Sequence, residues 1–251
     1  MMVPCRVAMA NSAQREFVVL RGPQSLVRYV ADWLLNRVLA VSGTRAICLA
    51  GGSTPLLLYQ TLAKPPWRDR FPWERIHWFW GDERFVRSDS SRSNYRMARA
   101  ALFDHVPVPN ENVHPIATNG TLAEAAADYE RTLRQFYGSP QLSLNRPLFA
   151  VTLLGVGEDG HTASLFPGDA ALTEQSRWVA AIPNARPEPR ISLTYPALAS
   201  SGEIGFLVTG ASKRDIVARI RNGEDLPATR VDTAGRVHWF LDRAAAGASE
   251  R

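Results

Sequence analysis

Apolar positions along the chain follow two periods in turn. Leu148 to Leu154 is a run of seven residues, apolar but for Thr152, the pattern of a strand buried on both faces. Shorter β-rich runs occur at Glu16 to Leu20, Arg45 to Ala50, Ile76 to Trp80, Trp178 to Ile182, Ile191 to Thr194, Glu203 to Val208 and Val237 to Leu241. Between them lie segments of helical period. Ser25 to Ala40 carries Leu26, Val30, Trp33, Leu34 and Val38 on one face, with Ser25 offered as the N-cap. After Gly51 and Gly52, Pro55 is placed at the first helical position, where its missing N–H costs nothing, and this helix runs to Leu62. Further helices are predicted over Asn94 to His105, Thr121 to Tyr137 with Gly138 as the C′ residue, and Asp215 to Ile220.

This alternation predicts an α/β fold: a doubly wound, mostly parallel sheet with helices on both faces, a Rossmann-like three-layer arrangement. No repeat, low-complexity tract or linker divides it, so residues 1–251 are expected to form a single domain. The Pro-rich piece from Ile182 to Pro189 is expected to be an active loop, and the tail from Ala244 to be frayed.

Composition narrows the function classes. With 45% apolar and 21% charged residues, the chain has the ordinary balance of a globular protein. The 29 basic and 24 acidic residues give a net charge of +5 without any block of like charge, which disfavours a nucleic-acid partner and suits a small anionic one. Only Cys5 and Cys48 are present, too few for a disulfide framework or a zinc site, as expected in a reducing compartment. Apolar stretches of about seven residues fall short of the roughly 18 that suggest a membrane span. Arg6 interrupts any secretory h-region, so the cytoplasm is the expected location.

Chemistry is expected where strands end in glycine-bearing polar loops, because ligands of open α/β sheets bind outside the carboxyl ends of the strands. Gly51-Gly52-Ser53-Thr54, Gly81-Asp82-Glu83-Arg84, Gly155 to His161 and Gly210-Ala211-Ser212-Lys213 all qualify. Glycines let backbone N–H groups approach an anion, and a helix N-terminus near Thr54 adds positive potential, so Gly51, Gly52, Ser53 and Thr54 form a phosphate-cradle candidate. Taken singly, that loop reads equally well as an N-cap, and Arg190 or Lys213 as a solvated cation.

Gly155 to Gly160 matches G-x-G-x-x-G, but Pro167 and Gly168 follow too soon for a long helix and no acid closes the next strand, so a dinucleotide site is not expected. Neither a P-loop, H-E-x-x-H nor G-x-S-x-G occurs. What remains is Asp159-Gly160-His161. A carboxylate two residues before a histidine can hold its tautomer and leave the other ring nitrogen free as a base. His77, His105, His114 and His238 lack such a setting and are read as structural.

Together, Gly51-Gly52-Ser53-Thr54-Pro55, Gly81-Asp82-Glu83-Arg84 with Ser93-Asn94-Tyr95, Leu154 to Gly168, Arg190 to Thr194 and Gly210 to Lys213 resemble the 6-phosphogluconolactonase family. The Gly155 to Gly168 block is the specific part, whereas the first loop is shared with glucosamine-6-phosphate deaminases of similar fold. The resemblance implies hydrolysis of a sugar-phosphate lactone, 6-phospho-D-glucono-1,5-lactone, without cofactor or metal. It further implies His161 as the base positioned by Asp159. Backbone groups at Gly155 to Gly157 and the Arg84 side chain are oxyanion candidates, with Arg84 alternatively on the phosphate. Ser53, Thr54, Arg190 and Lys213 are then phosphate ligands, and Asp82 matches an acidic position of both branches. The deaminases carry a glutamate where this chain has Phe166, which cannot transfer a proton. An aminosugar-phosphate deaminase or isomerase and a non-catalytic sugar-phosphate sensor are the alternatives.

Overall fold

The computed structural model describes residues 14–248 apart from Val41 and Leu144, so Cys5 and Arg6 lie outside the described residues. In chain order the elements are β1 (Gln14–Leu20), α1 (Pro23–Leu39), β2 (Arg45–Leu49), α2 (Ser53–Leu62), α3 (Trp67–Arg70), β3 (Ile76–Trp80), β4 (Asp82–Arg84), α4 (Asn94–Ala101), α5 (Leu122–Tyr137) and β5 (Phe149–Leu154). Then follow β6 (Val179–Ile182), β7 (Arg190–Leu193), α6 (Tyr195–Ala199), β8 (Ser201–Val208), α7 (Arg214–Arg221), β9 (Arg236–Asp242) and α8 (Arg243–Ala246).

A six-stranded parallel sheet in the order β1-β9-β8-β5-β2-β3 forms the centre. Its inner strands are apolar on both faces because helices cover both. Trp33 of α1 packs on His238 and Phe240 of β9, whereas the neighbouring Trp239 stacks on Phe206 of β8 from the opposite face, with ring centroids 3.9 Å apart. On β3, Trp80 meets Tyr95 of α4 and Phe79 meets Phe136 of α5, again on opposite faces. Leu26, Val30 and Leu34 of α1 are fully buried, each stabilising by roughly 1.5–3 kcal/mol. Leu34→Ala would leave a cavity in this layer, at a cost of about 2–5 kcal/mol.

From β2 the chain steps outward to β3 and later returns to β5 on the other side of β2. The loops leaving β2 and β5 therefore diverge, and a crevice opens between their carboxyl ends. A second, three-stranded antiparallel sheet in the order β4-β7-β6 stands beside that crevice. Gly81 joins the two sheets: its N–H donates to Leu49 of β2 at 2.9 Å, and its carbonyl accepts from Leu193 of β7 at 2.8 Å.

Several sequence expectations need correction. α1 starts at Pro23 behind Gly22, so Ser25 lies within the first turn and does not cap it. Pro55 is the third residue of α2, still inside the turn whose N–H groups lack intrahelical acceptors. Asp82 to Arg84 form strand β4 rather than a loop. The helix from Asn94 ends at Ala101, and Phe103–His105 make a separate 3₁₀ turn. Of the tail expected to be frayed, Ala244 to Ala246 belong to α8, capped by the Asp242 carboxylate on the Ala245 N–H and closed by Gly247 at φ +68°, and residues 249–251 lie outside the described residues.

Candidate active site

The crevice holds a cleft of about 260 Å³ whose walls include Gly51, Gly52, Ser53, Thr54, Asp82, Arg84, Gly155, Gly157, His161, Arg190 and Lys213. Of the site residues expected from sequence, Asp159 alone stays off the cleft wall, behind the His161 ring.

The cradle is built by β2 and α2. Gly52 takes φ +107°, a conformation open to glycine, and this turns the first helical N–H groups of α2 toward the cleft end of the sheet. No side chain caps that end and no acidic residue lies in its first turn. Thr54 is buried, and its hydroxyl bonds to Thr209 after β8 at 2.7 Å, tying two loops together. Gly51 admits the buried Asn94 side chain, since a Cβ at Gly51 would lie 2.1 Å from Asn94 Oδ1.

The loop after β5 carries His161 and Asp159. His161 Nδ1 is 2.6 Å from Asp159 Oδ1, which also accepts the His161 backbone N–H at 3.1 Å. Nδ1 is thereby assigned as the donor and Nε2 has no partner among the described residues. Gly160 at φ +88° turns the chain, and Gly157 leaves room for the pair: a Cβ there would fall 2.1 Å from His161 Nδ1 and 2.4 Å from Asp159 Oδ1. Partial burial opposes ionisation of Asp159, yet the His161 N–H and imidazole outweigh it and hold the carboxyl below its ordinary value. The Gly157 N–H donates to the His161 carbonyl at 2.9 Å. It is therefore engaged within the loop and is not open to an oxyanion, which corrects the expectation for that group.

The antiparallel sheet supplies charge. Arg84 and Arg190 are directly opposed on β4 and β7. Arg84 Nη1 donates to the Arg92 carbonyl at 2.6 Å, and its buried Nε has no partner. Arg190 lies over the Phe166 ring with 5.6 Å from guanidinium carbon to centroid, and Phe166 in turn lies 4.5 Å from the His161 ring. Asp82 lines the cleft, but its carboxylate faces protein groups: Ser164 Oγ donates to Oδ2 at 2.6 Å and Arg190 Nη1 stands 3.8 Å away. Glu83 is buried and accepts from the backbone N–H groups of Arg84, Asn94 and Tyr95 and from the Ser93 hydroxyl, so it fastens the N-terminus of α4 to β4. Burial pushes its carboxyl up, and these four donors pull it back only in part. Lys213 follows a turn at Gly210, whose N–H is held by the buried Asp242 carboxylate.

Sequence reasoning missed Glu83, Asn94, Ser164 and Thr209 as parts of this site. The remaining histidines are structural: His77 and His114 stack at 5.1 Å within an aromatic cluster, where burial lowers both and takes His114 to about 4. The Cys48 thiol is buried in β2, and burial pushes it far up. Among the described residues no group of three or more His, Cys, Asp or Glu is placed to hold a metal ion, and no helix is long and apolar enough to cross a membrane.

Fold and cleft thus define an α/β protein that brings a glycine-rich helix N-terminus and two arginines, each with an unpartnered Nε, beside a histidine–aspartate pair. The chain belongs to the glucosamine-6-phosphate isomerase/6-phosphogluconolactonase family, whose model matches residues 21–239. It is 39% identical to a 6-phosphogluconolactonase of Nostoc sp. over 92% of this chain and 96% of that one, and 40% identical to one of Synechocystis sp. over 84% and 87%. Among solved structures, 6-phosphogluconolactonase from Thermotoga maritima superposes with a TM-score of 0.79 at 32% identity, covering 91% of this chain and all of its own. A monomeric glucosamine-6-phosphate deaminase at 21% identity and TM-score 0.76, over 92% of this chain, shares the fold.

Proposed function

We propose that the chain is a hydrolase that opens 6-phospho-D-glucono-1,5-lactone to 6-phospho-D-gluconate, the lactonase step of the oxidative pentose phosphate pathway. The observation that carries the reading is the convergence of the His161–Asp159 pair with Arg84, Arg190 and Lys213 on one cleft. The curated relatives at 39% and 40% identity bear the lactonase name, and by the family resemblance Phe166 takes the place of the proton-transferring glutamate expected in the deaminase branch.

In this reading the phosphate sits at the N-terminus of α2, on Ser53 and Thr54, with Arg190 and Lys213 neutralising it. Binding at that remote end orients the ring, so that the lactone carbonyl lies near His161. Nε2 takes a proton from water as the water oxygen attacks the carbonyl carbon. The tetrahedral oxyanion is met by backbone N–H groups at Gly155 and Val156 and by Arg84. On collapse the bond from the carbonyl carbon to the ring oxygen breaks, and the proton on Nε2 passes to that oxygen. Asp159 holds the tautomer and offsets the charge gained by the ring, as acid–base catalysis of this type requires. No redox cofactor or metal enters this scheme. Residues 1–251 act as one domain on a soluble sugar phosphate in the cytoplasm, with neither nucleic acid nor membrane as partner.

The test is to generate the lactone in situ and follow its loss above the spontaneous rate. Wild type should accelerate it strongly and His161→Ala should not. A His161→Ala variant with wild-type turnover would remove the base from this scheme, and ammonia release from glucosamine 6-phosphate would point to the deaminase branch.

A further inference from the structure

Arg190 is nearly enclosed, with its side chain 12% exposed, yet no hydrogen bond reaches its guanidinium among the described residues and its buried Nε has no partner. Buried donors are normally satisfied, so a planar cation with free N–H groups on a cleft wall is kept for a ligand. Its pose must then be fixed by other means. The Phe166 ring supports one face, and the Asp82 carboxylate stands beside it at 3.8 Å. Asp82 is itself only 6% exposed and has to be held. Asn94 Nδ2 reaches its Oδ1 at a long 3.4 Å, whereas the Ser164 hydroxyl donates to Oδ2 at 2.6 Å, a short charge-assisted bond on the very oxygen that faces Arg190.

Ser164 is fully buried and does not line the cleft, so it cannot touch a ligand. Its own N–H donates to Ser192 Oγ at 3.1 Å, on the strand that carries Arg190. The preceding Ala163 adopts φ +47°, a conformation disfavoured for a residue with a Cβ. The turn is kept there from both sides, by Thr162 Oγ1 on the Gly155 carbonyl at 2.9 Å and by Ser164 on Asp82. We propose that Ser164 is a positioning residue for substrate binding: through Asp82 it sets where the Arg190 guanidinium meets the phosphate. This inference rests on the lactonase reading for its ligand.

The experiment is a pair of double-mutant cycles on lactone hydrolysis, joining Ser164→Ala to Arg190→Ala and separately to Lys213→Ala. Ser164→Ala alone should raise KM about tenfold while kcat stays within about threefold. In the Arg190→Ala background the same change should move KM by less than about twofold, and in the Lys213→Ala background again by about tenfold. Equal effects in both backgrounds, or an unaltered KM in a folded Ser164→Ala protein, overturn the proposal. Should Ser164→Ala not fold, Ser164→Cys keeps a weaker donor and should give a smaller rise in KM with the same dependence on Arg190. If the wild type fails to turn over the lactone, the lactonase reading falls. The cycles are then read as dissociation constants for inorganic phosphate, where loss of the dependence on Arg190 overturns the positioning role.

Discussion

The two sheets serve the cleft by different means. The parallel sheet contributes loops beyond its strand ends, Gly51 to Thr54, Gly155 to His161 and Gly210 to Lys213, and at Gly51 and Gly157 a side chain packs directly against the glycine. The antiparallel sheet contributes side chains from within its strands, Asp82 and Arg84 on β4 and Arg190 on β7. A methyl group added at Gly51 or Gly157 would collide with the side chain packed there, whereas a strand of the second kind loses one group and keeps its register. Removal of a charge should therefore be graded in effect, and addition of a Cβ abrupt.

The most direct way to break this contrast is at the base. His161→Ala should lower kcat by about 10²- to 10⁴-fold in the coupled lactone assay, the usual worth of a general base. Gly157→Ala should follow at roughly 10²-fold, although the added carbon carries no chemistry, because it would overlap both His161 Nδ1 and Asp159 Oδ1. If Gly157→Ala proves milder than Arg190→Ala, the contrast between the sheets fails. Arg190→Ala should raise KM by about 10- to 100-fold with kcat little changed, the worth of a charged hydrogen bond to phosphate. Ser53→Ala should change KM by at most about fivefold, since the cradle relies on backbone donors.

The smallest effect sharpens the role of Asp159. Its carboxyl is held below the ordinary 3.8, so its contribution to stability is present above that value and is lost only as pH falls through the lower folded-state value. The difference in Tm between wild type and Asp159→Asn should shrink as pH falls below the ordinary carboxylate value. A difference that grows toward low pH would contradict the depressed carboxyl.

The order of strands and helices in the parallel sheet was legible because burial on both faces writes apolar runs such as Phe149 to Leu154 into the sequence. β4 was not, since Asp82-Glu83-Arg84 is polar, three residues long and paired with residues more than a hundred positions away. The same holds for the site. Glycine loops and the Asp159–His161 spacing announce themselves locally. Ser164 acts across the fold on Asp82, and nothing in its immediate sequence marks that partner. Ser25 looked like a helix cap, but Pro23 two residues earlier was the stronger start signal.

The reversal of strand order at β2 and β5 also has a thermodynamic reach. Gly51 and Gly155 are about 100 residues apart and become neighbours only when both strands are seated in one sheet. A ligand that needs both loops binds the assembled molecule and not its parts, so its affinity is linked to folding as a whole. At a concentration one hundred times its dissociation constant such a ligand would stabilise the native chain by about 2.7 kcal/mol. Thermal melting with and without 6-phosphogluconate would then report occupancy of the cleft as a rise in the cooperative transition of the entire α/β body.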